Sequence, residues 1–364
     1  MTPLPRPALA PPPVPRDPRI AVVIPCFNEE GAIAQVIADC RAALPGAAIH
    51  VFDNRSTDGT AAVARAHGAH VTRVTLRGKG NVVRRMFADV EADLYVMVDG
   101  DATYDVGRAA EMVDLLLDDG LDMVVGTRFD DGRNPQTYRP GHRLGNRLLT
   151  SSVGLLFGGH FSDMLSGYRV FSRRYAKSFP AAARGFETET ELTVHALELR
   201  MPCGELPVPY LARPEGTQSK LSTFRDGGRI LRTILRLFIS ERPLAFFTTL
   251  AALCALVSIG LAVPLAVEFW RTGLVPRLPT AVLATGVMLA GMLAQVCGAV
   301  LHTVTLGRQE AKRLVYLSIP ATRREAQAPS DAGRAAGSTG VVVDVDKASV
   351  AGSRSTANTE GRAA

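Results

Sequence analysis

Asp99-Gly100-Asp101 follows directly on the apolar run Leu94-Tyr-Val-Met-Val98. Side chains two residues apart in an extended segment point the same way, so both carboxylates can face one ligand. Gly100 lets the backbone turn closely past that ligand. Two hard oxygen donors at the carboxyl end of a strand suit Mg2+ or Mn2+ carrying a diphosphate. A bare D-x-D is common in surface loops, and its place behind a buried strand is what gives this one weight. Asp53 ends a second apolar run, within Val51-Phe-Asp-Asn-Arg-Ser-Thr-Asp-Gly-Thr60. A carboxylate there can accept from a nucleobase N–H or a ribose hydroxyl. Ser56, Thr57 and Asp58 are good helix N-caps, and capping is the preferred role for Asp58. Other chemistries lack their residues. Gly78-Lys-Gly80 is followed by Asn-Val-Val, so there is no G-x-G-x-x-G, and there is no P-loop. His142, His160 and His195 are isolated, and no Ser–His–Asp or paired-Glu arrangement is apparent.

These residues need a frame, and hydrophobic periodicity supplies one. Strands are expected at Ile20–Ile24, Ile49–Asp53, Val71–Leu76, Leu94–Val98 and Met123–Gly126. Between them, Ile33, Val36, Ile37 and Cys40 share one helical face, and further helices are expected over Thr57–His67, Lys79–Glu91 and Val106–Asp119. Such alternation with apolar strands implies an α/β fold, a mostly parallel sheet covered on both faces. Ligands then belong at the carboxyl ends of the strands. After residue 127 the pattern loosens into a basic, Gly-rich stretch up to about Tyr175. A helix around Glu187–Leu199 and a strand around Leu206–Leu211 close this part.

The composition then changes abruptly. Leu244–Val267 carries no charged residue, and Leu278–Leu306 none apart from the titratable His302. Each exceeds the roughly 20 residues that span a bilayer core. The loop Glu268–Arg277 joins them as a hairpin. Arg225, Arg229, Arg232, Arg236 and Arg242 precede the first span, and Arg308, Lys312 and Arg313 follow the second. The positive-inside rule puts both flanks in the cytoplasm of an inner-membrane protein. Phe224–Ile239 is amphipathic and reads as an interfacial helix on anionic lipid, with Ile234 and Phe238 sunk into acyl chains. Residues 1–18 are Pro-rich and read as a disordered tail without a signal peptide, and residues 321–364 read as a second disordered tail.

Whole-chain figures agree. The 364 residues carry a net charge of +6, with 47% hydrophobic residues, and the mean hydropathy is +0.11. That is high for a purely soluble chain. Aromatics are 6% and Trp270 is the sole tryptophan, which argues against a stacking platform for nucleic acid. Five cysteines without a C-x-x-C pair argue against a disulfide framework.

Four segments in order, Val22-Val-Ile-Pro25-Cys-Phe-Asn28-Glu29-Glu30, the Asp53 stretch, Gly78-Lys79-Gly-Asn81 and Asp99-Gly-Asp101, resemble family 2 glycosyltransferases of the GT-A fold. Asp163-Met-Leu-Ser-Gly-Tyr-Arg169 and Arg213-Pro-Glu-Gly-Thr-Gln-Ser-Lys-Leu221, with the paired spans, resemble the dolichol-phosphate mannosyltransferase and polyprenyl-phosphate glycosyltransferase branch. The resemblance covers about residues 20–307. It divides the chain into a GT-A domain over 19–222, a juxtamembrane helix over 223–242, two spans over 243–307 and a cytoplasmic tail over 308–364.

The resemblance implies inverting transfer of a sugar from a nucleotide-sugar, UDP-linked in preference to GDP-linked, to a polyprenyl phosphate in the bilayer. It places Pro25, Asn28, Glu29, Asp53, Lys79, Asp99 and Gly100 on the donor, and Asp99 and Asp101 on Mg2+ or Mn2+. Arg128, Arg147, Arg213 and Lys220 fall on the acceptor phosphate, with Asp101, Arg128 and Arg147 carrying the catalysis. Homo-oligomerisation stays open. A phosphate monoester is largely ionised at neutral pH, so it needs alignment by cations more than a general base. Asn54 and Arg55 stand where the family commonly has an acidic residue and Gly, and Thr103 where mannosyl relatives often have Gln, so the resemblance does not fix base or sugar. The Gln-x-x-Arg-Trp motif of processive polysaccharide synthases is absent. Transfer to another membrane glycolipid and a catalytically silent scaffold are the rival readings.

Overall fold

A computed structural model describes residues 17–129, 153–154, 161–185, 187–211, 223–322 and 341–343. Arg147, Arg213 and Lys220 lie outside these described residues. β1 (Ile20–Cys26), β2 (Ala48–Asp53), β3 (His70–Arg73) and β4 (Leu94–Met97) run parallel, with β1 between β2 and β4. β5 (Met123–Phe129) and β7 (Cys203–Pro209) are parallel to each other, and β6 (Arg169–Ser172) lies antiparallel between β4 and β5. The mostly parallel sheet is therefore a mixed one, in the order β3-β2-β1-β4-β6-β5-β7-β8, where β8 is the short strand Val341–Val343. β6 falls in the stretch whose periodicity is weak. It is four residues long, starts with Arg and is buried throughout, so neither alternation nor an apolar run marks it.

Alternate strand residues supply two apolar layers. Val22, Ile24, Leu94 and Val96 pack under α1 (Ile33–Ala43) and α4 (Ala109–Asp118). Val23, Tyr95 and Met97 pack under α3 (Lys79–Asp89), α5 (Arg173–Ser178) and α6 (Thr188–Leu199). α2 (Thr60–Ala66) begins later than expected, because Ser56–Gly59 is spent on a turn tied to the loop after β1.

Register fixes the functional edge. Cys26 is level with Asp53, and Val23 with Met97. Asp99 thus comes level with Pro25. Arg169 pairs with Met97 across the antiparallel ladder, which brings Gly167 opposite Asp99. Arg128 is level with Val208 at the same edge.

α7 (Thr223–Glu241) leads into α8 (Pro243–Thr272) and α9 (Leu278–Leu317), the last two long and apolar enough to cross a membrane. At 1.5 Å per residue α8 is about 45 Å long, more than a hydrocarbon core. Only 6% of its most apolar window is buried, so the described residues leave its apolar surface uncovered. The buried residues of α9 are Ala284, Gly291, Gly298 and Thr305, one per heptad. A Cβ at Gly298 would lie 2.6 Å from Phe247 Cβ, so this stripe lets the helices approach closely. Ser258 Oγ donates across it to the Ala284 carbonyl at 2.7 Å.

Three expectations need correction here. Ile234 is not sunk in lipid: it is 2% exposed and belongs to the protein core, with Leu237 and Phe238 packed beside it. The turn between the spans is residues 273–277, because α8 runs on to Thr272. The region after 307 is structured where it is described: α9 continues to Leu317, and β8 (Val341–Val343) pairs antiparallel with β7.

The continuation of α9 anchors the hairpin to the sheet domain. Tyr316 Oη donates to Asp122 Oδ2 at 2.7 Å, on a fully buried carboxylate that also takes Arg174 and Ser172. Lys312 Nζ pairs with Glu198 at 2.8 Å, and Arg308 with Glu241 at 2.6 Å. Burial pushes the Glu198 carboxyl up, against the pull of Lys312 and with the repulsion of Glu241. Lys312→Met strands the buried Glu198 and is expected to destabilise the detergent-solubilised chain by about 3–5 kcal/mol. Adding Glu198→Gln should recover most of that loss in the thermal midpoint; no recovery contradicts this anchor.

Candidate active site

The carboxyl edge of β1, β2 and β4 carries the site. The loops after β1 and β2 are laced together. Asn28 N donates to Ser56 Oγ at 2.9 Å, its Oδ1 accepts from Thr57 N at 2.8 Å, and Glu29 N donates to Thr60 Oγ1 at 2.8 Å. Asp53 is buried, and its Oδ1 accepts from Ser56 N at 3.1 Å. Asp58 accepts from Thr60 N and Glu30 N. Burial raises the Asp58 carboxyl, but these hydrogen bonds outweigh it and hold it below the usual range.

Asn54 has a structural use. Its amide nitrogen donates to the Leu76 carbonyl at 2.7 Å and its oxygen accepts from Gly78 N at 2.7 Å. A carboxylate could make only the second bond, so an amide at this acidic position of the family pattern clamps the loop that precedes α3. Gly78 opens α3 at φ 117°, and a Cβ there would lie 2.0 Å from the Arg184 carbonyl oxygen. This close approach brings Lys79 beside α6.

Lys79 is the hub. Its Nζ lies 2.6 Å from Asp99 Oδ1 and 2.6 Å from Glu189 Oε1. Burial lowers the ammonium pKa, but Asp99 and then Glu189 outweigh it, so the net shift is upward and the charge is kept. Gly167 seats the other side of Asp99, since a Cβ there would fall 2.3 Å from Asp99 Oδ2. Tyr104 Oη accepts from Gly167 N at 3.0 Å, and burial raises the Tyr104 phenol, keeping it neutral. Asp101 is buried, and its Oδ1 accepts from Thr103 N at 3.2 Å and Thr103 Oγ1 at 2.6 Å. Gly100 lies against Cys26 Sγ, where a Cβ would stand 2.5 Å away, and the Pro25 carbonyl oxygen is 3.6 Å from the same point.

Arg128 is committed bidentately to Asp163, at 2.6 Å and 2.7 Å, with its guanidinium 5.7 Å from the Tyr210 ring centroid. Arg169 holds the connection between these residues. It is fully buried, donates from Nε to the Ser166 carbonyl and from its terminal nitrogens to the Met164 and Glu189 carbonyls and Thr193 Oγ1. Desolvation lowers its pKa.

The structure thus brings Pro25, Asn28, Glu29, Asp53, Lys79, Asp99, Gly100 and Asp101 to one edge, with Arg128 on β5, separated from β4 by β6. Sequence reasoning missed Glu189, the partner role of Asp163, Tyr104 and the seat formed by Gly167. Asp163 and Gly167 stood in a motif whose geometry spacing alone does not reveal. Glu189 stood in Glu187-Thr-Glu-Thr-Glu191, which looks like a solvated helix start but is mostly buried: Glu191 accepts from Ala182 N and Ala183 N, both at 2.8 Å.

Among the described residues no group of three or more His, Cys, Asp or Glu side chains gathers as a metal cage. Asp99 and Asp101 alone still fit Mg2+ or Mn2+, ions that take one or two carboxylates and complete their shell with water and phosphate oxygens.

The model of the family described as glycosyl transferase family 2 matches residues 21–179. Glycosyltransferase AglJ of Haloferax volcanii is 33% identical over 300 residues, 82% of this chain and 98% of its own length. Dolichyl-phosphate hexose transferase of the same organism is 29% identical over 223 residues, 61% of this chain and 95% of its own. Among solved structures, glucosyl-3-phosphoglycerate synthase from Mycobacterium tuberculosis, in complex with Mn2+, UDP and glucosyl-3-phosphoglycerate, aligns at 25% identity with a TM-score of 0.48, over 61% of this chain and 79% of that one. The chain belongs to glycosyl transferase family 2 and is a glycosyltransferase.

Gly167→Ala tests the seat of Asp99. The added methyl displaces the carboxylate, and a misplacement of about 1 Å costs roughly a hundredfold in rate. Sugar transfer should fall by that order while the thermal midpoint stays close to that of the parent; an unchanged rate contradicts the seat.

Proposed function

We propose that the enzyme transfers a sugar, with inversion, from a nucleotide-sugar to the phosphate of a polyprenyl phosphate at the cytoplasmic face of the membrane, feeding the assembly of envelope glycans or glycoconjugates. The observation that carries this reading is a D-x-D carboxylate pair at the sheet edge of a domain anchored, through Asp122 and Glu198, to a hairpin of two apolar helices. The likeness to a dolichyl-phosphate hexose transferase supports it.

In this reading Asp99 and Asp101 hold Mg2+ or Mn2+ with the donor diphosphate. A cation held by these two carboxylates would supply positive charge against that developing on the leaving nucleoside diphosphate. Asp53 takes the nucleoside, and the loops of Pro25, Asn28 and Glu29 wall the donor. Lys79 adds positive charge beside the diphosphate. Arg128, oriented by Asp163, joins Arg147, Arg213 and Lys220 in aligning the acceptor phosphate. That phosphate is ionised at neutral pH and attacks without a dedicated base. The arginine excess on the outer flanks, Arg236 and Arg242 before α8 and Arg308 and Arg313 late in α9, supports cytoplasmic termini.

Membranes containing the chain, supplied with radiolabelled UDP- and GDP-sugars and polyprenyl phosphate, should yield a lipid-extractable product that mild acid releases. Asp101→Ala should lower this by at least about a hundredfold, since a metal ligand contributes several kcal/mol to charge stabilisation. Acid-stable label in another glycolipid favours the glycolipid-acceptor reading, and no label from any donor favours the scaffold.

Topology has its own check. In intact cells an impermeant maleimide should label a cysteine placed at Thr272 and spare one placed at Ser318. The reverse pattern inverts the orientation.

A further inference from the structure

Lys79 is shared by two carboxylates with different surroundings. Asp99 has a side chain 26% exposed, whereas that of Glu189 is 6% exposed. Glu189 spends only one oxygen on Lys79, and its Oε2 is buried with no hydrogen-bond partner. An ammonium and a metal ion on the same carboxylate repel each other strongly at a few ångströms. Both therefore draw on Asp99, and Lys79 has a second carboxylate ready to take it. Its three N–H donors allow the shift without leaving the cluster.

We infer that Glu189 is a positioning residue that serves as the reserve counter-ion of Lys79. When a divalent cation takes Asp99, Lys79 moves its hydrogen bonds onto Glu189, whose second oxygen receives it. Lys79 stays charged in the cleft beside the metal instead of holding Asp99 against it. No bond forms or breaks; the step exchanges one ionic partner for another. This deepens the reading that Asp99 and Asp101 hold the cation, and it rests on that reading. Glu189 would act without touching metal or substrate, through the lysine alone.

The test is Mn2+ binding to the full-length chain in detergent, followed by the loss of the free-ion EPR signal, with no nucleotide present. Glu189→Gln leaves Lys79 with Asp99 as its only carboxylate in this cluster, so Mn2+ affinity should fall at least about tenfold. Lys79→Met removes the competitor, and affinity should rise by at least about the same factor. The double variant Lys79→Met/Glu189→Gln should return to the parent affinity or better, a rescue that a merely structural Glu189 would not give. Parent-like binding by Glu189→Gln, weaker or unchanged binding by Lys79→Met, or a double variant as weak as Glu189→Gln overturns the inference. If Glu189→Gln does not fold, the rise in Lys79→Met decides alone. Asp101→Asn separates the two levels: if it binds Mn2+ like the parent, the metal reading itself fails, whereas loss of binding there with failure of the exchange pattern removes only the role given to Glu189.

Discussion

One ammonium holds the site together. Lys79 Nζ is within 2.6 Å of carboxylates from β4's carboxyl end and from α6, elements far apart in the chain. Without it, the buried Glu189 would be left unpaired beside the half-buried Asp99, and burial of an unpaired charge costs several kcal/mol. The pair geometry also orders the local backbone. α3 must begin against residues 183–185, which is why Gly78 and Gly80 stand there, and β6 must start two residues after a glycine that lies on Asp99. Arg169 then ties that strand to the carbonyl of Glu189. Donor chemistry and core packing therefore share the same few residues.

α6 carries this order toward the helix hairpin. Its first turn bears Glu189 and its last bears Glu198, paired with Lys312 of α9. Tyr316, one turn further along α9, reaches Asp122 beneath β6 and stacks on Arg174 at 4.7 Å. In the proposed reaction a lipid-borne phosphate would stay at headgroup level while a nucleotide-sugar arrives from water. That reaction would require the domain to keep its edge at a fixed height over the bilayer. Ion pairs buried at the join suit that task better than a flexible linker. The apolar stripe of α9 and the exposed Leu253, Leu256, Val296 and Val300 suit lipid on the outside and close helix packing on the inside.

Much of this was legible in the sequence, and for physical reasons. Apolar runs ending in Asp53 and Asp99 mark strands with carboxylates at one edge, because parallel sheets bury both faces. The spans announced themselves by length without charge. What stayed hidden depends on tertiary contact. Glu189 looks like solvated helix capping until α6 is known to be buried. Asn54 looks like a departure from a family pattern until both ends of its amide are seen in use. Arg128 reads as an open phosphate ligand, yet its guanidinium is clasped by Asp163. Ile234 reads as a lipid anchor on an amphipathic helix, yet that helix turns this residue toward the core. Hydrophobic periodicity says which face is apolar and is silent on what covers it.

In the proposed reaction the sugar is delivered to a phosphate monoester at the membrane surface. The most direct measurement is 31P NMR of undecaprenyl phosphate in micelles with the purified chain, Mg2+ and a panel of UDP- and GDP-sugars. The account predicts that, with one donor, the monoester resonance is replaced by a phosphodiester resonance as nucleoside diphosphate accumulates. A monoester resonance that persists while a sugar is consumed from its donor would contradict it.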